Sequence, residues 1–180
     1  VPLREGIVSA IPADLQIADA RATPAVNLNE VLIPTETVIT RGKELYTASC
    51  ASCHGENGKG DGIAGAALNP PPKNFTVKDG WKNGAKISGI YKSLYEGIPG
   101  TGMAMYDNFP PEDLFAISHY VRTFVPDAPA DTQDDIDELD FNYKLTEGIE
   151  LPPQIPVLSA KELIAKETLY DAKRLFNILS

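Results

Sequence analysis

The run Cys50-Ala51-Ser52-Cys53-His54-Gly55 constrains this chain more than any other feature of it. It uses both cysteines of the 180-residue sequence and one of its two histidines, the other being His119. A disulfide between Cys50 and Cys53 would close a very small loop and remove little entropy from the unfolded chain. A structural zinc site needs four ligands at suitable spacing, and this chain has too few well-spaced cysteines and histidines to supply them. Dithiol redox chemistry would want the pair opening a helix directly after a strand. Here a histidine follows at once, and then glycines.

The pattern that remains is covalent haem attachment. Each sulfur can add across one haem vinyl group. The vinyls sit on neighbouring pyrroles, so two intervening residues let one turn of chain reach both, and the next residue, His54, lies under the iron. The covalent link matters because a domain of under about a hundred residues has a small core of its own. The porphyrin becomes a permanent part of that core.

Length allows one domain, or one small domain with long appendages, and charge divides the chain accordingly. Residues 1–37 hold two basic and five acidic groups (−3), residues 38–126 nine and eight (+1), and residues 127–180 five and twelve (−7). The near-neutral middle reads as the folded unit. Its first helix is expected from a Thr40 cap through Arg41 and Tyr46 into Cys50. Gly55, Gly58, Gly60, Gly62 and Gly65 then make a tightly turned loop, and Pro70-Pro71-Pro72 an extended segment. A short helix is expected over Ile87 to Glu96, and a Gly/Met loop from Gly97 to Asn108. The last helix of the unit runs from about Pro110 to Phe124, with Leu114, Ile117, Val121 and Phe124 on one face.

The flanks read differently. Residues 1–37 carry Pro2, Pro12, Pro24 and Pro34 without a sustained period and are expected to form an extended arm. Residues 127–158 read as an acidic, proline-rich extended segment, although Ile136, Leu139, Phe141 and Tyr143 are more apolar than a linker needs. Ser159-Ala160-Lys161-Glu162 matches a capping box, and residues 159–180 are expected to form an amphipathic helix. Its stripe is Ile164, Thr168, Ala172, Leu175 and Leu179, with Ala165, Leu169 and Phe176 beside it. No run of about eighteen apolar residues occurs that would span a bilayer as a helix.

Residues 38–126, roughly half the chain, resemble class I c-type cytochromes. The motifs are C-x-x-C-H-G at Cys50 to Gly55, G-x-G-D-G at Gly58 to Gly62, the proline-rich run Leu68 to Phe75, and G-I-P-G-T-x-M at Gly97 to Met103. The resemblance implies an all-α fold, a small haem domain of a few helices, to which the flanks add the long extended N-terminal arm and the C-terminal tail ending in the amphipathic helix. It implies one covalent haem c, with its iron, attached through Cys50 and Cys53 and ligated by His54. The first and last helices would cross at Gly42 and Tyr46 against Tyr120.

A metal-bound histidine needs its other ring nitrogen held. A backbone carbonyl in Asn69 to Pro72 is the candidate, and Pro71 is the residue assigned. A soft thioether as sixth ligand favours reduced iron and raises the potential. Met103 and Met105 are the two methionines, and in an extended loop they point opposite ways, so one of them can ligate. The family pattern selects Met103, although that pattern continues with Pro where this chain has Ala104. Phe75, Trp81, Ile87, Tyr91, Leu94 and Tyr106 are assigned to the pocket wall. Trp81 and Tyr91 are further assigned to a haem propionate through their polar tips. His119 lies away from the apolar stripe of its helix and is expected to face outward.

The function expected is single-electron transfer rather than catalysis or gas sensing, since a filled sixth position leaves no site for substrate. The apolar-bearing flanks favour a subunit of a larger assembly over a free periplasmic shuttle. The plan resembles the monohaem cytochrome subunits of alternative complex III, the bacterial quinol-oxidising membrane assembly. A haem subunit of a periplasmic oxidoreductase is the other arrangement. Partners would be other subunits of a membrane complex and redox proteins, not nucleic acid. Covalent haem attachment implies the periplasmic side of the cytoplasmic membrane after removal of a signal peptide, and a lipid anchor ahead of Val1 is compatible with this.

Overall fold

The computed structural model describes residues 20–153 and 156–179. The first nineteen residues of the expected arm lie outside the described residues, as do the side chains of Ala172, Leu175, Phe176 and Leu179 in the expected tail stripe. The chain divides into a compact unit, Thr23–Ile149, and a second unit made of the chain's two ends. The fold is all-α, apart from a two-stranded sheet pairing β1 (Arg21–Thr23) with β2 (Ile149–Leu151).

Within Thr23–Ile149 the first long helix, α2 (Glu36–Ser49), starts a turn earlier than the sequence suggested. Thr35 is its cap, and its hydroxyl accepts from the Val38 amide, which satisfies one of the orphan donors of a helix start. Before it comes α1 (Leu28–Val31), capped by Asn27. The described end of the arm is therefore not plainly extended. Val26 is buried in the core, and Leu28, Val31 and Leu32 pack against it.

Helix α2 crosses α5 (Pro111–Arg122) closely, because Gly42 has no side chain there. A Cβ at Gly42 would lie 2.0 Å from the Ala116 carbonyl oxygen and 2.9 Å from Tyr120 Cβ. The Tyr46 and Tyr120 rings pack at a tilt at the same crossing, with centroids 5.2 Å apart. Arg41 clasps Asp113 through two bonds of 2.9 and 2.8 Å. Helix α5 is buried on every side: Leu114, Phe115, Ile117 and Ser118 are fully enclosed.

The segment expected to be extended after residue 127 contains a helix, α6 (Gln133–Tyr143). Thr132 and Asp135 form a reciprocal capping box at its start, and Lys144 ends it in the left-handed region. Its apolar face carries Leu139 and Tyr143 into the same core, followed by Leu145. Apolar residues at this spacing bury one stripe of a helix whatever the charge on the opposite side.

In the second unit, α7 (Val157–Leu179) begins two residues ahead of the expected Ser159 cap. Its described apolar residues Leu163, Ile164 and Leu169 are exposed. Among the described residues no helix is long and apolar enough to cross a membrane.

Candidate functional site

The chain turns sharply at Cys50. Helix α2 ends at Ser49, and α3 (Ala51–His54) restarts at once, with the His54 amide returning to the Cys50 carbonyl at 2.9 Å. Gly55 stops α3 with a φ of 77°, a conformation that costs a glycine nothing. The Tyr46 hydroxyl donates to the Gly55 carbonyl at 2.7 Å and ties the motif back to α2. Cys50, Cys53 and His54 thereby come to line one mostly apolar cavity of about 370 Å³.

Both cysteines are free thiols. Burial, with a smaller contribution from Cys53, pushes the Cys50 thiol up to about 12, so it is neutral in the folded chain. Burial also lowers the pKa of His54, more than its backbone hydrogen bond raises it. The imidazole is thus held neutral. Its Nδ1 lies 3.1 Å from the Lys73 carbonyl oxygen. A neutral imidazole that donates from Nδ1 keeps its lone pair on Nε2.

The carbonyl that orients His54 therefore belongs to Lys73, not to Pro71. The Phe75 amide donates to the Gly58 carbonyl at 2.7 Å, and the Gly60 amide to the His54 carbonyl at 2.8 Å. These bonds lay the chain after the prolines along the glycine loop and bring Lys73, two residues past Pro71, to the ring. Pro71 still lines the cavity, beside Pro70 and Pro72.

The remaining wall comes from several segments. The Phe75 ring stacks on His54, with centroids 4.5 Å apart, and on Trp81 at 5.3 Å. Tyr106 lines the cavity, and its hydroxyl donates to the Ser49 carbonyl at 3.2 Å. Trp81 also lines it, but its indole N–H donates to the Val77 carbonyl at 3.1 Å rather than standing ready for a propionate. Helix α4 (Ile87–Glu96) contributes Ile90, Ser93 and Leu94, which share a face at helical spacing.

Tyr91 and Ile87 occupy another face of α4 and do not line the cavity, contrary to the sequence reading. Tyr91 is fully buried against Phe115 and Tyr143, and its hydroxyl has no hydrogen-bond partner among the described residues.

Met103 lines the cavity, whereas Met105 is 61% exposed and does not. The loop is pinned in this register by three bonds. The Ile98 amide donates to the Met103 carbonyl at 3.1 Å, the Met103 amide to the Thr101 hydroxyl at 3.1 Å, and the Tyr106 amide to the Leu94 carbonyl at 2.8 Å.

His119 is away from the cavity, as expected, but it does not face solvent. It is buried, with Nε2 2.9 Å from the Val31 carbonyl oxygen. Helix α1 covers the side of α5 that the helical wheel had left to water.

Lys73, Leu68 and Lys82 line the cavity without having been singled out in the sequence. Leu68 is placed by Gly102, where a Cβ would fall 2.7 Å from its Cδ2. The proline-run motif pointed to the neighbourhood of Lys73, but no residue-level signal marked its carbonyl.

Residues 39–124 match the cytochrome c family. Cbb3-type cytochrome c oxidase subunit FixP of Azorhizobium caulinodans is 36% identical over 84 residues, covering 46% of this chain and 26% of that protein. Thiosulfate dehydrogenase of Stutzerimonas stutzeri is 26% identical over 118 residues, covering 63% of this chain and 36% of that protein. The chain thus spans about a quarter to a third of these curated relatives. A chain of the reducing HAO-like protein complex of Kuenenia stuttgartiensis aligns at a TM-score of 0.49 and 28% identity, over 57% of this chain and 50% of that one. Two free thiols, a histidine tied at Nδ1 and a thioether on one apolar cavity fit a covalently held haem. The chain therefore carries a cytochrome c domain at residues 39–124.

Proposed function

We propose that the chain transfers single electrons through one haem c, bonded to Cys50 and Cys53 and ligated by His54 and Met103. The observation that carries this reading is the convergence of all four side chains on one cavity. Haem iron bound there would supply a reversible one-electron change.

The Lys73 carbonyl holds the His54 ring in the tautomer that leaves Nε2 free to ligate, and its hydrogen bond makes that nitrogen a stronger donor. Met103 offers a soft thioether, which favours the reduced state. Phe75, stacked on His54, and Leu94 keep water from the ligands. Pro71, Trp81 and Tyr106 complete the contact wall. With His54 and Met103 both holding the iron, the chain by itself would carry electrons rather than catalyse bond chemistry.

We place it as a subunit of a membrane-associated respiratory assembly, of quinol-oxidising type, on the periplasmic side. The exposed apolar residues of α7 support a partner, since so long a helix gains most of its stability by burying one face. The relative named as an oxidase subunit points the same way. A second reading, the haem part of a periplasmic oxidoreductase, is favoured by the match to thiosulfate dehydrogenase over 63% of the chain.

Ligation is tested by Met103→Ala and Met105→Ala. The weak Fe–S(Met) absorption band at the red edge of the oxidised spectrum should vanish in the first and persist in the second. The reverse result would transfer the ligand to Met105. Co-purification of the full-length chain with solubilised membrane complexes tests the assembly, and a stable monomer that captures none would favour a free shuttle.

A further inference from the structure

Helix α4 is fastened at both ends by residues that lie beyond the matched cytochrome c segment. At its start the helix lacks a cap of its own, since Lys86 at the capping position makes no side-chain bond to it. The carboxylate of Asp131, more than forty residues downstream, takes that role. Oδ2 accepts from the Ile87 amide and Oδ1 from the Ser88 amide, both at 2.9 Å. Lys86 itself pairs with Asp135 in the first turn of α6. At the other end, the Tyr143 hydroxyl at the close of α6 donates to Glu96 Oε1 at 2.6 Å, and its ring packs on Tyr91 and Tyr95 at 5.4 and 4.8 Å.

Between these two fastenings α4 presents Ile90, Ser93 and Leu94 to the cavity. Its C-terminal end also carries the methionine loop. The Leu94 carbonyl accepts the Tyr106 amide, and a Cβ at Gly97 would touch the backbone of Met103, Ala104 and Met105 at 2.9 Å. Any shift of α4 along its axis would therefore move Met103. A carboxylate on the first free amides of a helix is among the stronger ways to fix such an axis, because it answers both the unpaired donors and the positive end of the helix.

We propose that residues 131–145 are a strap that sets the position of Met103 through α4, with Asp131 and Tyr143 as its two positioning residues. This rests on the assignment of Met103 as a ligand. The strap adds to the bonds by which the domain's own residues pin the methionine loop, and it makes the downstream segment part of the redox site rather than a linker.

The test uses the full-length holoprotein with Asp131→Ala, Asp131→Asn and Tyr143→Phe. Two readouts are taken: displacement of the methionine by added imidazole, followed at the Fe–S band, and amide hydrogen exchange over residues 98–106. Losing the cap should strengthen apparent imidazole binding by about tenfold in Asp131→Ala. Asp131→Asn, which keeps an acceptor, should restore part of the difference, and Tyr143→Phe should change binding in the same direction. Exchange over 98–106 should accelerate in step. A lower melting temperature with unchanged imidazole binding and unchanged loop exchange would make the strap a purely structural brace and overturn the proposal. If Asp131→Ala does not fold, the Asn and Phe variants decide it by the same readouts. If the unmutated protein shows no Fe–S band, the ligand assignment has failed, and loop exchange alone decides whether the strap governs the loop.

Discussion

Replacing Gly42 by alanine would test the crossing that holds the cysteine motif against α5. On an exposed helix this change would stabilise by about 1 kcal/mol, since alanine is the better helix former. Here the added Cβ meets the Ala116 carbonyl oxygen at 2.0 Å and its carbon at 2.6 Å. Those are backbone atoms and cannot rotate away, so the helices must part by roughly 1 Å, which strains a packed core by about 3 kcal/mol. The movement would also loosen the tilted ring contact of Tyr46 with Tyr120 at 5.2 Å and the Arg41–Asp113 clasp. Overpacking wins, and the net loss is about 2 kcal/mol, or roughly 4–8 °C in melting temperature for a chain of this size. Denaturant titration of the holoprotein by circular dichroism measures it directly. A Gly42→Ala protein as stable as the parent, or more so, would refute the reasoning.

Truncation separates the tail from the strap. A chain ending after Leu151 keeps Leu139, Tyr143 and Leu145 in the core and should retain its haem spectrum. One ending after Pro126 loses all three buried side chains, each worth about 1.5–3 kcal/mol, and should unfold far more readily by denaturant titration. His119→Ala should leave the visible spectrum of both redox states intact, because the ring does not line the cavity. Burial depresses the pKa of His119, against the smaller opposing effect of its bond to Val31. The unfolded chain therefore takes up a proton below its ordinary value of about 6.5 while the folded one does not. Stability should fall as pH drops through that value, and a His119→Gln variant should show a shallower fall in the same pH titration.

What the sequence disclosed depended on how local the cause was. The motif around Cys50 is set by residues within one turn of each other, so its chemistry was readable. The α4 bounds follow from local sequence, alternation separates Met103 from Met105, and the family resemblance is what selects Met103 of the two. The site details that were missed all come from distant segments. His54 finds the Lys73 carbonyl because a glycine loop carries the chain past the prolines. His119 is buried because α1, more than eighty residues earlier, lies over it. Tyr91 turns from the cavity because α6 supplies a partner face. Helix α6 itself was legible, since no proline falls between Pro129 and Pro152 and Ile136, Leu139 and Tyr143 keep helical spacing. Its acidic composition masked that pattern.

The central claim is a single haem held covalently by Cys50 and Cys53. Intact mass spectrometry of the denatured protein, after acid–acetone extraction, tests it most directly. The account predicts a mass greater than the polypeptide by one haem, with the colour retained, and no such addition in a Cys50→Ala, Cys53→Ala double variant. A chain at its bare polypeptide mass with free haem in the acetone would contradict it.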